Sequence, residues 1–338
     1  MTTYKESGVD LFLSDSIKET ISKLVHSTFD DTVVSKGGEF GGVLRIPGSN
    51  HYLVSSIDGV GTKLKVAFLV NKHDTVGQDL VNHCVNDIGV MGAKPAIFLD
   101  YFASGEMDEN TIVAVITGLV EACKKHSIKL IGGETAQMPG IYQSNEYDLA
   151  GAIVGFLEQS RLLPKDNIEI GDVIVGFRST GLHTNGYSLA RKVVFEQNRW
   201  TVDTYQEELG VTWGDELLKI HRSYFQIIDV LVEKNMTKGL AHITGGGISG
   251  NLARIIPASM VALIDTSTIP VLPVFNVLMK SGNVSLKEMY NVFNMGVGLI
   301  SISSPDSANN ILKKFLGDSF IIGEVIKDTG EGRVSLSF

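Results

Sequence analysis

Residues 74–132, DTVGQDLVNHCVNDIGVMGAKPAIFLDYFASGEMDENTIVAVITGLVEACKKHSIKLIG, read as helix, strand, helix, strand. In 74–92, Val76, Leu80, Val81, Cys84, Val85 and Ile88 share one face at about 100° per residue. Gln78, Asp79, Asn82, His83 and Asn86 gather on the other face, while Asp87 breaks the pattern and projects towards the apolar side. A strand follows at 97–103, a helix at 108–126 and a strand at 128–132. Towards the N-terminus lie strand-like runs at 42–46 and 52–57, and a helix at 14–29 with Ile17, Ile21, Leu24 and Val25 on one face. Towards the C-terminus comes a long strand, 147–158, and then the polar, aperiodic stretch 160–172 with Pro164. That stretch marks a boundary between domains 1–160 and 161–338.

The second half alternates again. Strands are expected at 173–178, 240–243, 259–265, 297–303, 320–326 and 333–337. Helices are expected from about 186, at 215–235, near 249–256, within 271–293 and at 307–316. The fold class is therefore α/β (α+β) with mixed sheets.

The chain has 338 residues, 43% of them hydrophobic and 20% charged, which is enough for two domain cores at roughly 150 residues each. A net charge of -9 argues against a nucleic-acid or acidic-membrane partner. Cys84 and Cys123 form no CxxC pair, so neither a disulfide framework nor a Cys-based zinc site is expected. The opening MTTYKESGVD has no basic segment followed by an apolar core, and no apolar run approaches the roughly 20 residues of a membrane helix. A cytoplasmic location is the expectation.

Glycine is the informative excess. Of 36, many cluster at 36–42 (KGGEFGG), 58–63 (DGVGTK), 132–140 (GGETAQMPG), 179–186 (STGLHTNG) and 244–250 (TGGGISG). A single cluster reads equally well as a tight turn; five of them, most holding a charged or amide residue, favour loops whose N–H groups approach an anion. Asp58 and Glu134 follow strands, and Asp87 faces inward, so the three carboxylates suit Mg²⁺, with Lys63 as a point charge for phosphates. Walker A is absent. Residues 245–250 match G-x-G-x-x-G with Asp265 twenty residues on, which defines a rival nicotinamide-dependent oxidoreductase. The eight histidines contain no HxxxH or HxH pair, so no His-based transition-metal site is expected. His183 and Asn185 are polar candidates on a loop.

DGVGTKLK (58–65), HDTVGQDLVNHCVNDI (73–88), FLDYFASG (98–105), GGETAQMPG (132–140), GLHTNGYSLAR (181–191), HITGGG (242–247) and FNMGVG (293–298) occur in this order. Together they resemble the phosphoribosylformylglycinamidine cyclo-ligase family across nearly the whole chain. The resemblance implies an N-terminal sheet paired across a homodimer and ATP in a cleft near the domain junction. It implies Mg²⁺ on Asp58, Asp87 and Glu134. Nucleotide contacts are implied for Gly37, Gly38, Gly59, Gly61, Thr62, Lys63, Asn86 and Glu134. Substrate contacts are implied for Asn185, Thr244, Gly245, Gly246 and Gly247. The expected substrate is formylglycinamidine ribonucleotide, with Asp58, Lys63, Asp87 and His183 as catalytic residues; a small-molecule kinase of the same fold is the alternative.

Overall fold

The computed structural model describes residues 2–9, 11–35, 37–328, 330 and 332–338. Its first sheet contains β1 (Gly42–Arg45), β2 (His51–Gly59), β3 (Lys94–Ser104), β4 (Lys129–Gln137) and β5 (Tyr147–Glu158), in the order β1-β2-β5-β3-β4. Only β3 and β4 run parallel. They are the two strands joined by a helix, as a parallel crossover requires.

The first half also holds α1 (Leu11–His26), α2 (Leu64–Val70), α3 (Asp74–Val90) and α4 (Glu109–Lys125). In α1, Ile17, Ile21, Leu24 and Val25 are exposed, so the face expected to pack is open. Asp108 caps α4 by accepting the Thr111 N–H. At the crossing of α3 and α4 stand Gly77 and Gly118. A Cβ on Gly77 would collide with the Val115 carbonyl, and one on Gly118 with the Asp74 carbonyl.

The second sheet is built from β6 (Val173–Arg178), β9 (Gly239–His242), β10 (Met260–Asp265), β11 (Val297–Ser303), β12 (Ser319–Lys327) and β13 (Val334–Ser337). Its order is β13-β10-β12-β6-β11-β9, and β7 (Tyr205–Gln206) pairs with β8 (Val211–Thr212) apart from it. The remaining helices are α5 (Tyr187–Arg191), α6 (Trp213–Leu217), α7 (Phe225–Glu233), α8 (Gly247–Leu252), α9 (Pro273–Gly282), α10 (Leu286–Val292) and α11 (Pro305–Lys314).

Two departures from the sequence reading matter for the site. The segment GGETAQ continues β4 to Gln137 rather than forming a turn. The helix expected over 215–235 is broken between α6 and α7. There the main chain bonds to α3 side chains in place of its own helix: the His221 N–H to Asp79 (2.6 Å), the His221 carbonyl to Asn82 (2.8 Å) and the Tyr224 N–H to Asn86 (2.7 Å).

In α3, every residue but Asp74 and Gln78 is buried. Its apolar face covers the first sheet, and its polar face is the seam with the second half. Among the described residues, no helix is long and apolar enough to cross a membrane.

Candidate functional site

The seam brings Asp58, at the end of β2, against His83 and Asp87, one turn apart on α3. His83 Nε2 lies 3.2 Å from Asp58 Oδ2 and 3.7 Å from Asp87 Oδ2. Across the seam His242, the last residue of β9, sets Nδ1 2.7 Å from Asp87 Oδ1. The circuit closes through the second half. His242 Nε2 meets His221 Nε2 at 3.0 Å, His221 Nδ1 meets Thr184 Oγ1 at 3.2 Å, and Thr184 Oγ1 meets His83 Nδ1 at 2.8 Å. Asn86 is fixed by the Tyr224 N–H, so its amide group donates to the Arg222 carbonyl (2.9 Å) and faces both His Nε2 atoms.

Charge in this ring follows from burial and neighbours. Burial opposes the His83 cation, but Asp58 and Asp87 beside it raise its pKa to about 9. Burial pushes Asp87 up to about 8, with His83 pulling it down and Asp58 pushing it up again. Asp58 is also penalised by burial, yet His83 holds it below its ordinary value. Burial and neighbouring cationic groups drive His183 and His221 well below the ordinary imidazole value. His242 falls in the same way despite Asp58, so it meets Asp87 as a neutral ring, one hydrogen shared between Nδ1 and Asp87 Oδ1.

Asp58 and Asp87 thus converge as expected. Glu134 does not join them. It pairs with Tyr101, which pairs with Ala150, which pairs with Gly59. That is three strand spacings, roughly 14 Å, and Tyr101 stands on the sheet face away from α3. Two imidazoles occupy positions around the acid pair instead. The donor set is mixed nitrogen and oxygen and does not fit the all-oxygen shell that Mg²⁺ prefers.

Lys63 is also corrected. Its ammonium is fully buried, 2.7 Å from Asp79 Oδ2, and it donates to the carbonyls of Lys219 (2.7 Å) and His183 (3.2 Å). The ammonium is thus held inside the seam by one ion pair and two carbonyl bonds. Burial lowers Lys63 and raises Asp79, each offset by the other's charge. His183 is 1% exposed, with Nε2 accepting the Thr180 N–H, so it does not stand open to a substrate as a base. Its ring lies parallel to His221 at 4.1 Å.

The glycine loops border the same seam. Gly59, Gly61 and Thr62 are exposed, and Thr62 Oγ1 reaches Ser188 Oγ at 3.2 Å. A Cβ on Gly245 would meet Asn185 Oδ1 at 3.2 Å, so the 181–186 and 244–247 loops abut. Asn251 holds the second loop through the carbonyls of Thr244, Gly245 and Gly247. Gly246 and Gly247 have φ of +88° and +62°, and a Cβ on Gly247 would collide with the Tyr290 carbonyl. Gly37 and Gly38 also have positive φ; in the same segment, Phe40 lies under the Arg254 guanidinium (4.8 Å), which feels both Asp87 and Asp58. Sequence reasoning missed the histidine ring because its members come from four separate segments. The His83–Asp87 i, i+4 spacing was the available signal.

The G-x-G-x-x-G match does not sit in a dinucleotide fold. β9 is an edge strand bonded only to antiparallel β11, and Asp265 merely caps the turn at Ser267.

The class of protein follows from the two halves. Residues 38–157 match the family described as AIR synthase related protein, N-terminal domain, and residues 169–335 match its C-terminal domain. The "Phosphoribosylformylglycinamidine cyclo-ligase" of Thermoanaerobacter sp. (strain X514) is 44% identical over 331 residues, covering 97% of this chain and 98% of the relative. The chain belongs to the phosphoribosylformylglycinamidine cyclo-ligase family. Its fold also matches the solved "HypE-HypF complex" (TM-score 0.68, 18% identity, 94% of this chain and 95% of that one). A second solved match is "AaThiL complexed with AMPPCP and TMP" (TM-score 0.66, 15% identity, 99% and 95%).

The Lys63 assignment has a direct test. Lys63→Met leaves Asp79 buried without its partner and should cost about 3–5 kcal/mol in urea unfolding, with ATP affinity of the folded fraction unchanged. Lost ATP binding at unaltered stability would return Lys63 to the phosphates.

Proposed function

We propose that this chain is an ATP-dependent cyclo-ligase of purine biosynthesis, closing formylglycinamidine ribonucleotide to 5-aminoimidazole ribonucleotide with release of ADP and phosphate. The observation that carries the reading is the 44% identity over almost the full length of both chains.

The formyl oxygen is a poor leaving group. Phosphorylation by ATP activates it, the ribose-bearing nitrogen attacks the formyl carbon, and phosphate departs as the imidazole closes. Such phosphoryl transfer needs positioning and charge neutralisation more than covalent help from the protein. Gly37, Gly38, Gly59, Gly61 and Thr62 offer backbone and hydroxyl groups to the nucleotide along one lip of the seam. Asn185 and Thr244–Gly247 take the substrate on the other, where Asn251 fixes the loop before substrate arrives. Arg254 supplies the phosphate-facing charge expected of Lys63. Mg²⁺ accompanies the nucleotide as its counter-ion and would neutralise phosphate charge.

Residues 1–160 form the ATP-binding and dimerising half in this reading, and 161–338 the second half. The proposed homodimer is supported by the sheet face opposite α3 and α4. Leu44, Ile57, Leu99, Tyr101 and Phe156 stand exposed together there. Sedimentation equilibrium should give twice the chain mass at micromolar concentration. A monomer mass would remove the shared-sheet dimer.

Purified protein with Mg-ATP and formylglycinamidine ribonucleotide should yield aminoimidazole ribonucleotide and ADP in equal amounts. In the same assay Arg254→Ala should fall by about two orders of magnitude, a loss typical of a transition-state charge contact. ADP without the imidazole would make the chain a kinase or ATPase, and full activity in Arg254→Ala would free that residue of its role.

A further inference from the structure

Residues 293–298, FNMGVG, run from the end of α10 into β11 and lie against both glycine loops of the second half. Asn294 is buried, and each of its polar atoms is engaged. Its Nδ2 donates to the Gly181 carbonyl (2.9 Å), while Oδ1 accepts from the Ser179 hydroxyl (3.0 Å) and the Gly296 N–H (2.9 Å). Two donors on one side and a carbonyl on the other fix which way the amide faces. The Gly296 carbonyl adds a main-chain bond from the Ser179 N–H (2.9 Å). Phe293, also buried, closes the far end of the same loop, where a Cβ on Gly186 would fall 2.3 Å from its ring.

The second loop meets the same segment. The Gly298 carbonyl accepts the Ile243 N–H (3.0 Å) at the root of the 244–247 loop. The Cβ that Gly247 lacks would lie 2.0 Å from the Tyr290 carbonyl oxygen and 3.2 Å from that of Phe293. Between these contacts Met295 is buried and held at φ +53°, a left-handed conformation that a non-glycine residue keeps where its surroundings over-determine it. At Gly298 the pairing of β11 with β6 shifts register, and a Cβ there would collide with the Tyr224 hydroxyl and the His183 ring.

We propose, on the reading of both loops as substrate contacts, that residues 290–298 are one mould that sets the spacing of loops 179–186 and 244–247, with Asn294 as a positioning residue for the ribonucleotide. Asn294 touches no ligand. It acts through Ser179 and the Gly181 carbonyl, which begin the loop that carries Asn185, and its neighbours fix the loop that carries Thr244. Substrate groups bound between the two loops are then held at a separation decided before they arrive. The nucleotide lip at 59–62 belongs to the other half and is not set by this segment.

Asn294→Asp keeps the side-chain shape and turns an oxygen, in place of the amide NH₂, towards the Gly181 carbonyl. Hydrogen–deuterium exchange on the full-length protein should then quicken at 180–186 and at 243–247, with 109–125 unchanged. In steady-state assays KM for formylglycinamidine ribonucleotide should rise by at least about tenfold, while KM for Mg-ATP stays within about twofold. Ser179→Ala removes one neutral hydrogen bond at less risk to folding and should raise the same KM by about threefold. Unchanged exchange at 180–186, loosening confined to that loop, or a fall in kcat with both KM values unaltered would overturn the mould. Amide exchange needs no turnover. A wild type that forms no aminoimidazole ribonucleotide would fail the cyclo-ligase reading and still leave the mould decided by exchange.

Discussion

Helix α3 is buried on two faces of opposite character, and the rest of the molecule is arranged around that constraint. An apolar face can be satisfied by the first sheet alone. A face carrying Asp79, Asn82, His83, Asn86 and Asp87 cannot be dried without partners, because each unpaired buried polar group costs on the order of 1–3 kcal/mol and a charge costs more. The second half supplies those partners largely from its main chain. The stretch 218–224 gives up helical bonding so that its N–H and C=O groups can meet Asp79, Asn82 and Asn86.

The same seam positions the chemistry. Docking the halves through α3 brings the end of β2 against the end of β9, and those ends carry Asp58 and His242. The glycine loops that follow both strands then border one cleft. Lys63 serves the docking, with its ammonium buried against Asp79 and two carbonyls inside the seam. The arginine charge near the acid pair is Arg254, packed over Phe40 and feeling both Asp87 and Asp58.

Most of the fold was legible because hydrophobic period survives wherever one face meets a core and the other meets water. β5, β6, β11 and α4 appear close to where alternation and periodicity place them. α3 was legible as a helix and misleading as an amphipath, for its polar face resembles a solvated one until a second domain covers it. The expected helix at 215–235 failed for the same reason: its interruption depends on α3 side chains more than 130 residues away. Asp58 and Asp87 could be picked out as acids in unusual positions. Glu134 could not be separated from them, because only strand register shows which face and which strand it occupies. His221 gave no local signal, sitting in a run that reads as ordinary helix.

The central claim is that α3's polar face welds the halves into one cooperative unit, and Asn86→Leu addresses it most directly. The change keeps the branched heavy-atom skeleton but strands the Tyr224 N–H and the Arg222 carbonyl inside the seam. Scanning calorimetry should turn the single wild-type transition into two, with the earlier one at a clearly lower temperature. A single transition at the wild-type midpoint would contradict the account.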